Sequence, residues 1–104
     1  MEKLINVAVI VGSLRKASVN RKAALALAKF ASPNLALRMV EIGDLPLYNE
    51  DVEAAGAPEG WTRFRNELRD CDAVLFVTPE YNRSVPGALK NAIDVGSRPY
   101  GSSV

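Results

Sequence analysis

A chain of 104 residues, 48% hydrophobic, 24% charged and 7% aromatic, has the make-up of a single globular domain and leaves no room for a catalytic domain beside a separate binding domain. Thirteen Lys and Arg face twelve Asp and Glu, a formal charge of +1 with the signs interleaved, which argues against nucleic acid as a bulk partner. No apolar run approaches the roughly 20 residues of a membrane span, and Met1-Glu2-Lys3-Leu4 lacks the apolar stretch of a signal peptide, so no membrane partner and a cytoplasmic location are expected.

Leu4 to Val11 is almost continuously apolar and β-branched and stops abruptly at Gly12-Ser13, as a strand buried on both faces does. Ser18 is placed to cap a helix over Val19 to Phe30, whose Ala24, Leu27, Ala28 and Ala31 share a face before Pro33-Asn34 breaks it. Leu35 to Ile42 alternates imperfectly and suits a second strand nearer a sheet edge. A loop from Gly43 to Pro58 follows, with Asp44, Glu50, Asp51 and Glu53 as a solvated face that lacks the ligand spacing of a calcium loop. Trp61, Phe64, Leu68 and Cys71 then recur at offsets of three, four and three, with Glu59 in the first turn and Arg69 in the last, which predicts a helix. Ala73 to Val77 is another continuous apolar run and reads as a second central strand. After Thr78-Pro79-Glu80-Tyr81-Asn82-Arg83-Ser84, Pro86 opens a third helix with Leu89, Ala92 and Ile93 on one face; it fails at Gly96, and Ser97 to Val104 reads as a loop.

The order βαβαβα predicts an α/β fold, a doubly wound parallel sheet with helices on both faces and right-handed crossovers. Histidine is absent and Cys71 is the sole cysteine, which excludes an intrachain disulfide, the usual zinc sites and every His-based triad, so metal ligands are not expected. Cys71 and Trp61 fall on the apolar stripe and read as core.

In such sheets ligands sit beyond the carboxyl ends of the strands where the strand order reverses. The loop Gly12 to Asn20 offers the hydroxyls of Ser13 and Ser18, the amide of Asn20, the guanidinium of Arg15 and the free N–H groups of a helix N-terminus, a set suited to a phosphate. It is neither a Walker A loop nor a Gly-x-Gly-x-x-Gly turn, so a monophosphate gripped by side chains fits better than a pyrophosphate. Ser18 as a plain helix cap and Arg15 as a solvated charge remain the alternative. The loop Thr78 to Ser84, stiffened by Pro79 and Pro86, presents backbone donors and acceptors beside Tyr81 that suit the edge of a planar heteroaromatic ring; a simple proline-stiffened turn is its alternative. A strand order 2-1-3 makes the two loops neighbours at the switch point, where flavodoxin-like folds hold FMN.

Gly12-Ser13-Leu14-Arg15 with Ser18 and Asn20, followed by Thr78-Pro79-Glu80-Tyr81-Asn82 and Ser84-Val85-Pro86-Gly87-Ala88-Leu89-Lys90-Asn91-Ala92-Ile93-Asp94, resembles the NADPH-dependent FMN reductase family, including its chromate and quinone reductases. The resemblance implies a flavodoxin-like fold in which Ser13, Arg15, Ser18 and Asn20 hold the FMN phosphate. It also implies that Pro79, Glu80, Tyr81 and Asn82 line the isoalloxazine, with Ser84 nearby. It further implies electron transfer from NADPH or NADH, as co-substrate, through FMN to quinones, free flavin, azo compounds or oxidised metals. No catalytic side chain is required, because the cofactor carries the redox chemistry. Relatives continue with two further βα units, at about 30 residues per unit roughly 60 to 80 residues, so residues 1–104 resemble the N-terminal part of a longer domain. They are also expected to form a homodimer or homotetramer with flavin near the subunit interface, which would bring Tyr48 towards a partner's site. Two competing readings remain: a half-domain that holds no flavin, and a Rossmann-type dinucleotide module with Glu41 on the ribose hydroxyls.

Overall fold

The computed structural model describes residues 3–15 and 18–98. Three parallel strands, β1 (Ile5–Val11), β2 (Leu35–Met39) and β3 (Ala73–Val77), form a sheet in the order β2-β1-β3. The register runs from Ile5 opposite Leu35 to Val9 opposite Met39 on one side, and from Val7 opposite Ala73 to Val11 opposite Val77 on the other. Flanked on both edges, β1 buries Ala8 to Val11 almost completely. The period of two then divides them: Ala8 and Ile10 join one core with Trp61, Phe64, Leu89 and Val95, while Val9 and Val11 pack against Ala24 on the opposite face. The continuous apolar run of β1 is thus two half-cores, one per face.

Helix α1 (Val19–Phe30) covers the Val9/Val11 face and docks through the small side chain of Ala24, which lets its backbone approach β1. Leu27, expected on that packed face, is half exposed. Strand β2 ends at Met39, three residues before the predicted Ile42. The Val40 N–H still bonds Val9 O at 2.9 Å, but the chain then leaves the sheet and turns Val40 and Ile42 into the other core.

The segment predicted as loop from Gly43 to Pro58 contains a helix, α2 (Glu50–Ala55). Asn49 caps it by accepting from the Asp51 N–H at 2.8 Å, and Glu50, Asp51 and Glu53 place three carboxylates at the positive end of its dipole. The acidic stretch is not simply a solvated face. Glu53 makes a bidentate pair with Arg65 (3.1 and 2.6 Å), their side chains 16% and 7% exposed, and Asp44 pairs with Arg63 at 2.8 Å.

Helices α3 (Glu59–Arg69) and α4 (Gly87–Gly96) cover the Ala8/Ile10 face. Trp61 is wholly buried, donates from Nε1 to Pro46 O at 2.8 Å, and stacks on Tyr48 with ring centroids 5.3 Å apart. Cys71 is half-buried at the rim of the core, where its Sγ accepts from Arg38 Nη2 at 3.1 Å. On α4 the packed face is Leu89, Ala92 and Val95, whereas Ile93, expected there, is exposed. β3 differs from its expected central position: within the described sheet it is an edge, with Val74 44% and Phe76 49% exposed. Residues 99–104 of the predicted final loop lie outside the described residues.

Candidate functional site

The loops that follow β1 and β3 leave the same end of neighbouring parallel strands and meet at their bases. The Gly12 N–H bonds Val77 O at 2.9 Å. A Cβ at Gly12 would lie 2.1 Å from Thr78 Oγ1 and 2.6 Å from Thr78 Cβ, so only glycine allows the two loops to approach this closely. The expected loop pair therefore exists, and Gly12 is its hinge pin.

In the first loop, Ser13 is 9% exposed, and its hydroxyl makes no hydrogen bond to any described residue. Ser18 is buried and caps α1, its Oγ accepting from the Arg21 N–H at 3.3 Å; the hydroxyl proton is left to donate elsewhere. Arg15 is exposed, its carbonyl accepting from the Ser18 N–H at 3.1 Å. Asn20 is half-buried in the first turn of α1. Lys16 and Ala17 fall outside the described residues. The first turn of α1 carries no acidic residue, so the field at the helix start is uncompensated and favours an anion.

In the second loop, Tyr81 and Ser84 exchange both backbone hydrogen bonds at 3.0 Å around a tight turn. Asn82 (φ 53°) and Arg83 (φ 63°) both occupy the left-handed region, as a type I′ turn demands. Asn tolerates that conformation; Arg holds it under strain, and such strain concentrates at ligand-binding loops. The turn leaves Tyr81 half exposed beside Pro79, which is itself half-buried and accepts from Thr78 Oγ1 at 2.9 Å, while Glu80 points to solvent.

A cavity of about 260 Å³ opens beside the first loop, lined by Ser13, Leu14, Arg15 and Arg21 on one wall and by the end of β2, Met39 to Ile42, on the other. Arg21 Nη2 bonds Glu41 Oε1 at 3.0 Å in this cavity. Of the nine predicted site residues, the structure thus gathers Ser13 and Arg15 at one cavity and Ser18 and Asn20 at the start of α1. Pro79, Glu80, Tyr81, Asn82 and Ser84 stand apart from that cavity, on the β3 side of β1. Glu41 faces a guanidinium instead of standing free for ribose hydroxyls, which, with the missing glycine fingerprint, weakens the dinucleotide reading.

Sequence reading did not single out Arg21 or Asn91. Arg21 carries a visible signal, a cation in a first turn where acids are preferred. Asn91 is buried, accepts the Tyr48 N–H at 2.8 Å and donates to Leu45 O and Pro46 O, so it anchors the segment after β2 to α4. One polar residue in an apolar stripe gave no hint of those partners.

Fold and strand order define a flavodoxin-like chain whose two loops, after β1 and β3, meet at its topological switch point. Residues 5–104 match the NADPH-dependent FMN reductase family, and the chain belongs to it. It is 71% identical over 103 residues to a quinone reductase of Pseudomonas putida, covering 99% of this chain and 55% of that relative. Similarity to a 2-hydroxy-1,4-benzoquinone reductase of a Burkholderia species is 49% over 100 residues, covering 96% and 54%. Among solved structures, FerB, a flavoenzyme NAD(P)H:(acceptor) oxidoreductase from Paracoccus denitrificans, superposes with a TM-score of 0.87 at 52% identity, covering 94% of this chain and 53% of FerB. The chain spans about half the length of the relatives it matches. No helix among the described residues is long and apolar enough to cross a membrane.

Proposed function

We propose that the protein is an FMN-dependent NAD(P)H oxidoreductase that takes electrons from NADPH or NADH and passes them to quinones, with free flavin, azo compounds and oxidised metals as further acceptors. The observation that carries this reading is the Gly12–Thr78 contact. It joins a phosphate-type loop to a ring-type loop across two adjacent parallel strands.

The donors fit the cofactor. Ser13 brings a hydroxyl without a described partner and Arg15 a guanidinium from the loop, Ser18 a hydroxyl proton and Asn20 an amide from a helix start that favours negative charge. Together they would hold the FMN phosphate, while Pro79 to Asn82 and Ser84 would line the isoalloxazine along the rigid turn. An FMN bound there supplies hydride acceptance and onward electron transfer. The chain supplies the phosphate grip, the ring platform and the closeness of the two. Homodimer or homotetramer formation belongs to the same proposal and is read by sedimentation equilibrium.

The reading is tested by following the quenching of FMN fluorescence at low micromolar protein, with the intact mass checked on the same sample. Saturable one-to-one binding is expected; a folded chain that binds no FMN refutes it. Arg15→Ala removes a charge-assisted bond and should weaken FMN by about 1.5 to 3 kcal/mol, with an unchanged Kd removing Arg15 from the site.

A further inference from the structure

The turn that carries Tyr81 is of type I′, whose second central position ordinarily falls to glycine, yet it holds Arg83 there at φ 63°. A long L side chain gains nothing locally from that backbone, and a choice that opposes its own turn marks a residue kept for another task. The guanidinium contacts point the same way. Outside the two site loops, every arginine among the described residues bonds another group of this chain, from Arg21 on Glu41 to Arg98 on Ser97. Arg15 and Arg83 differ: both are exposed, and neither guanidinium has a hydrogen bond or ion pair among the described residues, although Glu80 precedes Arg83 in the same loop. The two uncommitted guanidinium groups thus lie one on each loop of the switch point, after neighbouring strands β1 and β3. Arg15 has its task in the phosphate grip, and Arg83 has none.

We propose that Arg83 is a specificity-determining residue that binds phosphate oxygens of the nicotinamide dinucleotide as it docks on the ring loop. The inference rests on the flavin reading above, in which the FMN phosphate is assigned to the other loop and quinones carry no phosphate. The dinucleotide brings a pyrophosphate, and NADPH one phosphate more. Its nicotinamide has to reach the isoalloxazine, so its phosphates approach the loop that carries Tyr81 and Asn82. A guanidinium offers phosphate oxygens a planar fork of donors, and one without an internal partner gives up no bond on binding. The tight turn fixes the backbone from which the side chain starts, which lowers the ordering cost of the contact.

The test titrates the FMN-loaded full chain with NADP+ and with NAD+ by calorimetry, using the parent protein, Arg83→Gly and Arg83→Lys, and measures FMN affinity in parallel. Glycine is the residue the turn prefers, so Arg83→Gly removes the guanidinium without endangering the fold, which circular dichroism checks. Arg83→Gly should weaken NADP+ about three- to tenfold and leave FMN affinity unchanged, while Arg83→Lys, which keeps the charge without the fork, retains part of the affinity. The salt dependence of NADP+ binding should be shallower in Arg83→Gly than in the parent, a change that a structural role would not produce. An equal loss for NAD+ assigns the contact to the pyrophosphate, and a loss confined to NADP+ assigns it to the additional phosphate. A change below about 1.5-fold for both dinucleotides overturns the proposal. So does an FMN-loaded parent that binds neither, or a fall in FMN affinity of the same size, because Arg83 would then act through the flavin. If the parent chain binds no FMN, the flavin reading fails by itself, and the same variants are titrated with NADPH alone through the amide shifts of Asn82 and Ser84. Shifts that weaken in Arg83→Gly sustain the phosphate contact, and their absence from the parent, or their persistence in the variant, refutes it.

Discussion

Replacing Gly12 by Ala probes the contact on which the site depends. The added methyl would stand 2.1 Å from Thr78 Oγ1, 2.6 Å from Thr78 Cβ and 3.3 Å from Leu89 Cδ2, where ordinary contact begins at 3.4 Å. Rotating Thr78 moves Oγ1 but not Cβ, whose position is set by the backbone, so β1 and the start of the β3 loop must separate. That movement threatens the Gly12 N–H bond to Val77 O and the Thr78 hydroxyl bond to Pro79 O. A clash of this depth belongs at the upper end of overpacking, about 3 kcal/mol. For a domain of this length it corresponds to a fall in Tm of about 10 °C or more. Thermal unfolding followed by circular dichroism measures the loss, and FMN titration measures the damage to the loop pair. Thr78→Ala removes Oγ1 but leaves the Cβ clash, so Gly12→Ala/Thr78→Ala should recover only part of the loss; Gly12→Ala/Thr78→Gly should recover most of it. A Gly12→Ala protein that loses less than about 1 kcal/mol, or one that Thr78→Gly does not rescue at all, refutes the steric reasoning.

Glu53→Ala leaves the buried Arg65 over the Trp61 ring with the Val95 carbonyl as its remaining hydrogen-bond partner among the described residues, and should cost about 3 kcal/mol in chemical denaturation. The hydrogen bonds from Arg65 hold the Glu53 carboxyl below its ordinary range. Its folded value is therefore the lower one, so the pair's contribution is complete above about pH 4.3 and is lost as the pH falls further; Glu53→Gln should flatten that acid limb. Asn91→Ala strips the partners from the Tyr48 N–H and the Leu45 carbonyl and should cost about 2 to 3 kcal/mol, seen as a lower urea midpoint with an unchanged slope. Arg83→Gly should leave stability unchanged or raise it by about 0.5 kcal/mol, whereas Arg83→Val should lower it by about 1 to 2 kcal/mol, since a β-branched residue resists a φ of 63°.

The strands and their order were legible because strands of a parallel sheet read as unbroken apolar runs, which both Leu4 to Val11 and Ala73 to Val77 are; only the first is buried on both faces, since β3 is an edge of the described sheet. Both loops were legible too, since each begins where such a run stops, and their donors read as phosphate and ring chemistry. Helix α2 was missed because Glu50 to Ala55 has no apolar stripe; only the Asn49 cap and three early carboxylates announce it, and a short helix can form on those with Arg65 to hold it. Ile93 and Leu27 were assigned to packed faces because periodicity gives a stripe's position only to within a residue or so of rotation about the helix.

From the chain alone came local and periodic features: strand-forming runs, caps, breaks, and the residue types gathered in each loop. Tertiary structure decided which distant groups meet. Gly12 against Thr78, Arg21 against Glu41, Glu53 against Arg65 and Asn91 against the segment after β2 are separated by 12 to 66 residues in no periodic way, and each pairing exists only in the folded chain. Short-range propensity carries no record of such distances, because the entropy of closing those loops is repaid only by burial that the whole fold creates.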